Sequence, residues 1–156
     1  MTELPSGTVT FLFTDIEGST QLWEMYAKAM QLALAEHDAI LRKTVEANHG
    51  SVIKTTGDGI HAVFEKAIEA VTAALEVQRR LLEPIHELQF KVRMGLHTGK
   101  AELRDGDYYG PALNRTARIM SVGYGGHSSP KYMRTRNAQL PSSGLQKLCV
   151  NRSRFP

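Results

Sequence analysis

The sequence predicts an α+β fold, a sandwich in which a mostly antiparallel sheet carries helices on one face. Three observations predict it. Runs with strand character and runs with helical spacing follow one another as strand, helix, helix, strand, strand, helix, strand, strand, helix. A glycine-flanked turn, Gly57-Asp58-Gly59, separates two short apolar runs and marks a hairpin in mid-chain. The chain has 156 residues, 42% of them hydrophobic and 22% charged, which suits one domain with a sizeable core.

The first element lies in Gly7 to Thr20, GTVTFLFTDIEGST. Val9 to Thr14 is rich in β-branched and aromatic residues and reads as a buried strand that delivers Asp15 to its C-terminal end. Gly18, Ser19 and Thr20 then open a helix. A carboxylate in that position can hold a cation, and the free N–H groups of the turn and helix start can hold phosphate beside it. Asp15 as a helix cap and Gly18 as a simple bend explain the same residues equally well.

No Pro or Gly interrupts the chain from Thr20 to Gly50, and Leu22, Met25, Tyr26, Met30, Ala33, Leu34, Ile40, Leu41 and Val45 recur at helical spacing. Two consecutive helices are expected, bent near Ala35 to Asp38. Trp23 and Tyr26 read as packing residues, His37 and His49 as surface or helix-end histidines. Ser51 to Thr56 and Ile60 to Phe64 are the strands of the hairpin, with Asp58 at its tip. Alone, this is ordinary turn chemistry. Laid beside the first strand, it would bring Asp58 next to Asp15, and two converging carboxylates repel unless a cation lies between them.

Lys66 to Glu83 is a patterned helix (Ile68, Val71, Ala74, Leu75, Leu82) stopped by Pro84. Phe90 to His97 alternates as a half-buried strand with Arg93 and His97 on its polar face. Thr98-Gly99 and Asp105-Gly106 read as turns around a short strand from Lys100 to Leu103. In Asp107 to Met120, DYYGPALNRTARIM, Pro111 starts a helix with Leu113, Ala117 and Met120 as its buried seam. Asn114 and Arg118, four apart, share a neighbouring stripe. An amide and a guanidinium together suit sugar and phosphate oxygens, although a solvated face looks similar.

Composition narrows the classes. No apolar run approaches the roughly 20 residues of a membrane span, and MTELPSG lacks the pattern of a signal peptide, so a cytoplasmic location and no membrane partner are expected. The single cysteine, Cys149, excludes a disulfide framework within the chain and a cysteine metal cluster. All 16 acidic residues lie at or before Asp107 with 11 Lys and Arg, whereas 8 basic residues and no acid follow.

Together, FTDIEGST (13–20), KTTGDG (54–59), VRMGLHTG (92–99) and DYYGPALNRTAR (107–118) resemble the catalytic domain of class III nucleotide cyclases, the adenylate and guanylate cyclases, over roughly residues 7 to 126. The resemblance implies a ferredoxin-like sandwich. It also implies roles: Asp15 and Asp58 as metal ligands with the carbonyl of Ile16, Lys54 and Asp107 as the base-reading pair, and Arg93 as a phosphate contact. Asn114 and Arg118 would orient the ribose and stabilise the transition state, and Gly18, Ser19 and Thr20 would form the triphosphate turn. Two Mg²⁺ or Mn²⁺ ions per active site are implied, with ATP as substrate and a homodimer whose active sites are shared between chains.

These types fit the chemistry. Attack of a ribose 3′-oxygen on the α-phosphorus with loss of pyrophosphate needs bridging carboxylates for two cations and a fixed positive charge for the phosphoryl oxygens, but no covalent nucleophile. Adenine places an acceptor at N1 beside a donor amino group at N6, matching a lysine donor and a carboxylate acceptor, while guanine reverses the pattern. The expected activity is therefore that of an adenylate cyclase, a phosphorus–oxygen lyase. The alternative is a weakly active cyclase-homology domain that binds nucleotide or a partner cyclase chain.

The family pattern stops after Gly126. Residues 127–156 read as a separate basic tail, poorly ordered, and neither Lys131 nor Lys147 can be assigned as the phosphate lysine that the family carries near its end. An RNA- or DNA-binding arm ranks below a disordered tail, because the six Lys and Arg from residue 131 onward are not interleaved with aromatics.

Overall fold

A computed structural model describes residues 3–121. Its elements are β1 (Gly7–Ile16), α1 (Ser19–Met25), α2 (Ala27–Ala47), β2 (Ser51–Thr56), β3 (Gly59–Phe64), α3 (Ala67–Arg80), β4 (Val92–Arg104), β5 (Asp107–Tyr109) and α4 (Pro111–Ser121). The basic tail, Cys149, Lys131 and Lys147 lie outside the described residues.

The five strands form one sheet in the order β2-β3-β1-β4-β5, with every pairing antiparallel. The α+β class and the antiparallel sheet are as predicted. β1 is central, and its alternating side chains feed two separate clusters. Leu12 and Ile16 join Met30, Ala33, Leu41 and Val45 of α2 and Ala70, Ala73, Ala74 and Val77 of α3 in the larger one. Val9, Phe11 and Phe13 join Val63, Tyr108 and Ala112 in the smaller one, with Leu113, Ala117 and Met120 of α4 packed against it. The helical cover is therefore α2 and α3 on one face, while α4 lies across the other. Gly95 makes this possible: a Cβ there would stand 2.6 Å from the Met120 nitrogen and 2.7 Å from the Thr116 oxygen, so the α4 backbone rests directly on β4.

Several local features differ from the sequence reading, among them β5 at Asp107–Tyr109, where no strand is expected. The break between the first helices falls at Tyr26 (φ −137°), not near Ala35 to Asp38, and it leaves Trp23 and Tyr26 of the α1 end exposed instead of packed. In α3 the buried stripe is Ala70, Ala73, Ala74 and Val77, while Ile68 and Leu82 face solvent. The predicted turn at Thr98-Gly99 does not form. β4 runs straight through it, because Thr98 and Gly99 pair with Thr10 and Val9 of β1 and the Thr10 and Thr98 hydroxyls bond each other at 2.8 Å. The real turn is Asp105-Gly106, both at positive φ (52° and 78°), which closes β4 onto β5. Finally, the buried seam of α4 is Ala112, Thr116 and Ile119, one position off the predicted seam.

Candidate active site

Polar side chains gather at two places on the β1 sheet. The first is the C-terminal end of β1. Gly59, at the start of β3, is pressed so closely to β1 that a Cβ would meet the Thr14 carbonyl oxygen at 1.7 Å, and the Thr14 hydroxyl accepts the Ile60 N–H at 3.1 Å. This approach sets the two-residue loop Gly57-Asp58 against the strand end. The Ile16 N–H donates to Asp58 Oδ2 at 3.3 Å, which sets the Asp58 carboxylate against the residue that follows Asp15.

Arg93, the cross-strand partner of Asp15, completes this end. Its Nε donates to Asp15 Oδ1 at 2.7 Å and a second N–H to Oδ2, a bidentate fork. Arg93 was expected to contact phosphate; here it neutralises a carboxylate. Its pKa is raised above the usual arginine value, first by the hydrogen bond to Asp15 against the opposing effect of burial, then by the charges of Asp15, Glu17 and Asp58. Glu17 also keeps a buried Oε2 without a partner. Gly18 takes a left-handed conformation (φ 70°) ahead of Ser19 and Thr20 in the first turn of α1.

The second place joins the sheet's two edges. Lys54 is on β2 and Asp107 on β5, yet Lys54 Nζ donates to Asp107 Oδ2 at 3.1 Å. The β4-β5 ribbon bends over the sheet to achieve this. Tyr108 anchors it, its ring edge-on to Phe11 at 5.3 Å and its hydroxyl donating to the Pro5 carbonyl. The Tyr108 N–H donates to Asp107 Oδ1 at 2.8 Å, and this bond, then Lys54, lowers the pKa of the Asp107 carboxyl below its usual value.

His61 is a member of this group that the sequence reading missed. It pairs with Lys54 across the hairpin and stacks on Phe13, ring centroids 3.6 Å apart. Burial, then Lys54, pushes its pKa down, with Asp107 opposing. The signal was available: counting outward from a two-residue loop puts residue 61 opposite residue 54.

Asn114 and Arg118 stand one turn apart on the exposed side of α4. Among the described residues, neither side chain bonds to the Asp15 group or to the Lys54 pair.

The oxygen-only donor set of Asp15 and Asp58 suits a hard divalent cation. Among the described residues no three His, Cys, Asp or Glu side chains form a metal cage, so backbone carbonyl, phosphate and water oxygens would have to complete the coordination. No described helix is long and apolar enough to cross a membrane.

The family model for the adenylate and guanylate cyclase catalytic domain matches residues 1–129. The chain belongs to this cyclase family. An uncharacterized protein of Mycobacterium tuberculosis is 42% identical over 125 residues, covering 78% of this chain and 42% of that protein. An adenylate cyclase of Neurospora crassa is 36% identical over 149 residues, covering 78% of this chain and 6% of the fungal protein. This cyclase-family chain thus spans less than half the length of either relative. Among solved structures, adenylate cyclases from Trypanosoma brucei in their monomeric state superpose with a TM-score of 0.74 at 26% identity, over 80% of this chain and 72% of that one.

Proposed function

We propose that the chain is an adenylate cyclase domain that converts ATP to 3′,5′-cyclic AMP and pyrophosphate at sites shared within a homodimer. The observation that carries the choice of base is the meeting of Lys54 and Asp107 from opposite edges of the sheet. An ammonium donor and a carboxylate acceptor side by side match adenine N1 and N6 and oppose guanine's reversed pattern.

Asp15, Asp58 and the Ile16 carbonyl would hold the cations. Two bound Mg²⁺ or Mn²⁺ ions would supply acidification of the ribose 3′-hydroxyl and neutralisation of the leaving phosphates. Gly18, Ser19 and Thr20 offer backbone N–H groups to the triphosphate, and Arg93 a guanidinium. Asn114 orients the ribose. Arg118 holds a permanent positive charge against the phosphoryl oxygens as charge builds on them, a contribution of about 10³ to 10⁵ in rate for comparable arginines. Asn114 and Arg118 meet neither group within one chain, which supports a site completed by a second copy.

The test is cyclic-nucleotide production from ATP or GTP with Mg²⁺ or Mn²⁺ across protein concentrations. ATP is preferred, product rises faster than linearly with protein, and Asp15→Ala or Asp58→Ala abolishes it. Nucleotide binding without turnover in any of these conditions would favour the cyclase-homology alternative.

A further inference from the structure

Asp15 has been given a cation to hold, yet both of its oxygens already accept N–H groups from Arg93. Arg93 has been given a phosphate to hold, yet its fork is spent on Asp15. We propose that these are two states of one exchange: a divalent cation that binds Asp15 displaces Arg93, and the released guanidinium turns to the nucleotide phosphates. This rests on the cation and phosphate roles proposed above and adds a coupling between them.

The geometry supports exchange over coexistence. A cation drawn to Asp15 would arrive beside a fixed positive charge at hydrogen-bond distance from the same oxygens, and like charges that close repel. Arg93 can leave, since its side chain is 30% exposed and needs no path through the core. It is also the counter-ion of an acidic end, with Asp15, Glu17 and Asp58 all acting on it. Anionic phosphate replaces that lost partner when the cation takes Asp15. The consequence is positive cooperativity: cation alone and nucleotide alone each compete with the internal pair, and together they do not.

The experiment uses the full chain and two probes, Mn²⁺ without nucleotide and ATP in excess chelator. Arg93→Lys keeps the charge but loses the fork, so it should bind Mn²⁺ more tightly than the parent, by about three- to tenfold. Asp15→Asn should tighten metal-free ATP by about the same factor by freeing Arg93, and that gain should vanish in Asp15→Asn/Arg93→Gln. Unchanged Mn²⁺ binding in Arg93→Lys, or a gain that persists in the double variant, overturns the exchange and leaves a fixed pair or a simple field effect. Mn²⁺ binding indifferent to Asp15→Ala would instead remove the cation site and the proposed function with it. Thermal melts of each variant identify any that fail to fold, and Arg93→Lys, the most conservative change, then decides the question.

Discussion

Lys54 and Asp107 are 53 positions apart; alternation places Lys54 on its strand but leaves Asp107 at the start of the segment leading into the last helix, and nothing local indicates that they touch. Their pairing came only from the family resemblance, because the bend that unites the sheet's edges depends on Tyr108 packing over Phe11. Histidines were misread for a related reason. His37, expected at the surface or at a helix end, is fully buried within α2 with its ring edge-on to Phe90 at 5.4 Å. The polar face expected for His97 is covered by α4, so the residue is 3% exposed and its Nδ1 has no partner. Burial, with Arg115 nearby, lowers the His97 pKa below 6.5, as burial and Lys54 do for His61. The unfolded chain therefore takes up protons first as pH falls. Stability is complete well above about pH 6.5 and declines as pH falls through it. Melting temperature should drop between about pH 7.5 and pH 5.5, a window above the usual carboxylate range, and His97→Gln should flatten that drop.

At the scale of elements, the strand-rich runs and the Gly57-Asp58 hairpin were legible, because alternation and turn chemistry are local signals. The continuity of β4 was not. Thr98-Gly99 has the composition of a turn, and only the β1 partners Val9 and Thr10 hold it extended. The helix break at Tyr26 escaped notice because an exposed aromatic and a packed one look alike in a helical pattern. Hairpin placement gives a sharp contrast between neighbouring glycines. A Cβ on Gly59 meets the Thr14 carbonyl, whereas one on Gly57 has nothing within 4 Å. Gly59→Ala should cost about 1–3 kcal/mol in denaturant unfolding. Gly57→Ala should stay within about 0.5 kcal/mol, so a similar loss in both would contradict the close approach.

For the molecule as a whole, the α+β class could be read from element order, but the burial of both sheet faces could not. β1 is almost continuously apolar or buried, the mark of a strand covered on two sides, and among the described residues the helix on the second side is α4. The same division bears on assembly. The Asp15 group and the Lys54 pair form within one chain, while Asn114 and Arg118 stay apart from both. Mixing Asp15→Ala with Arg118→Ala chains should restore part of the activity that each lacks alone, by forming one intact site per mixed dimer. No recovery, with mixed dimers shown to form, would refute sharing.

The bare backbone contact between Gly95 and α4 has a consequence for motion. With no side chain between them, helix and strand have nothing to slide on, and Asn114 and Arg118 ride on a rigid mount although they face solvent. Amide hydrogens of Thr116 and Met120 should then exchange with deuterium nearly as slowly as those of β4, and Gly95→Ser should loosen them together.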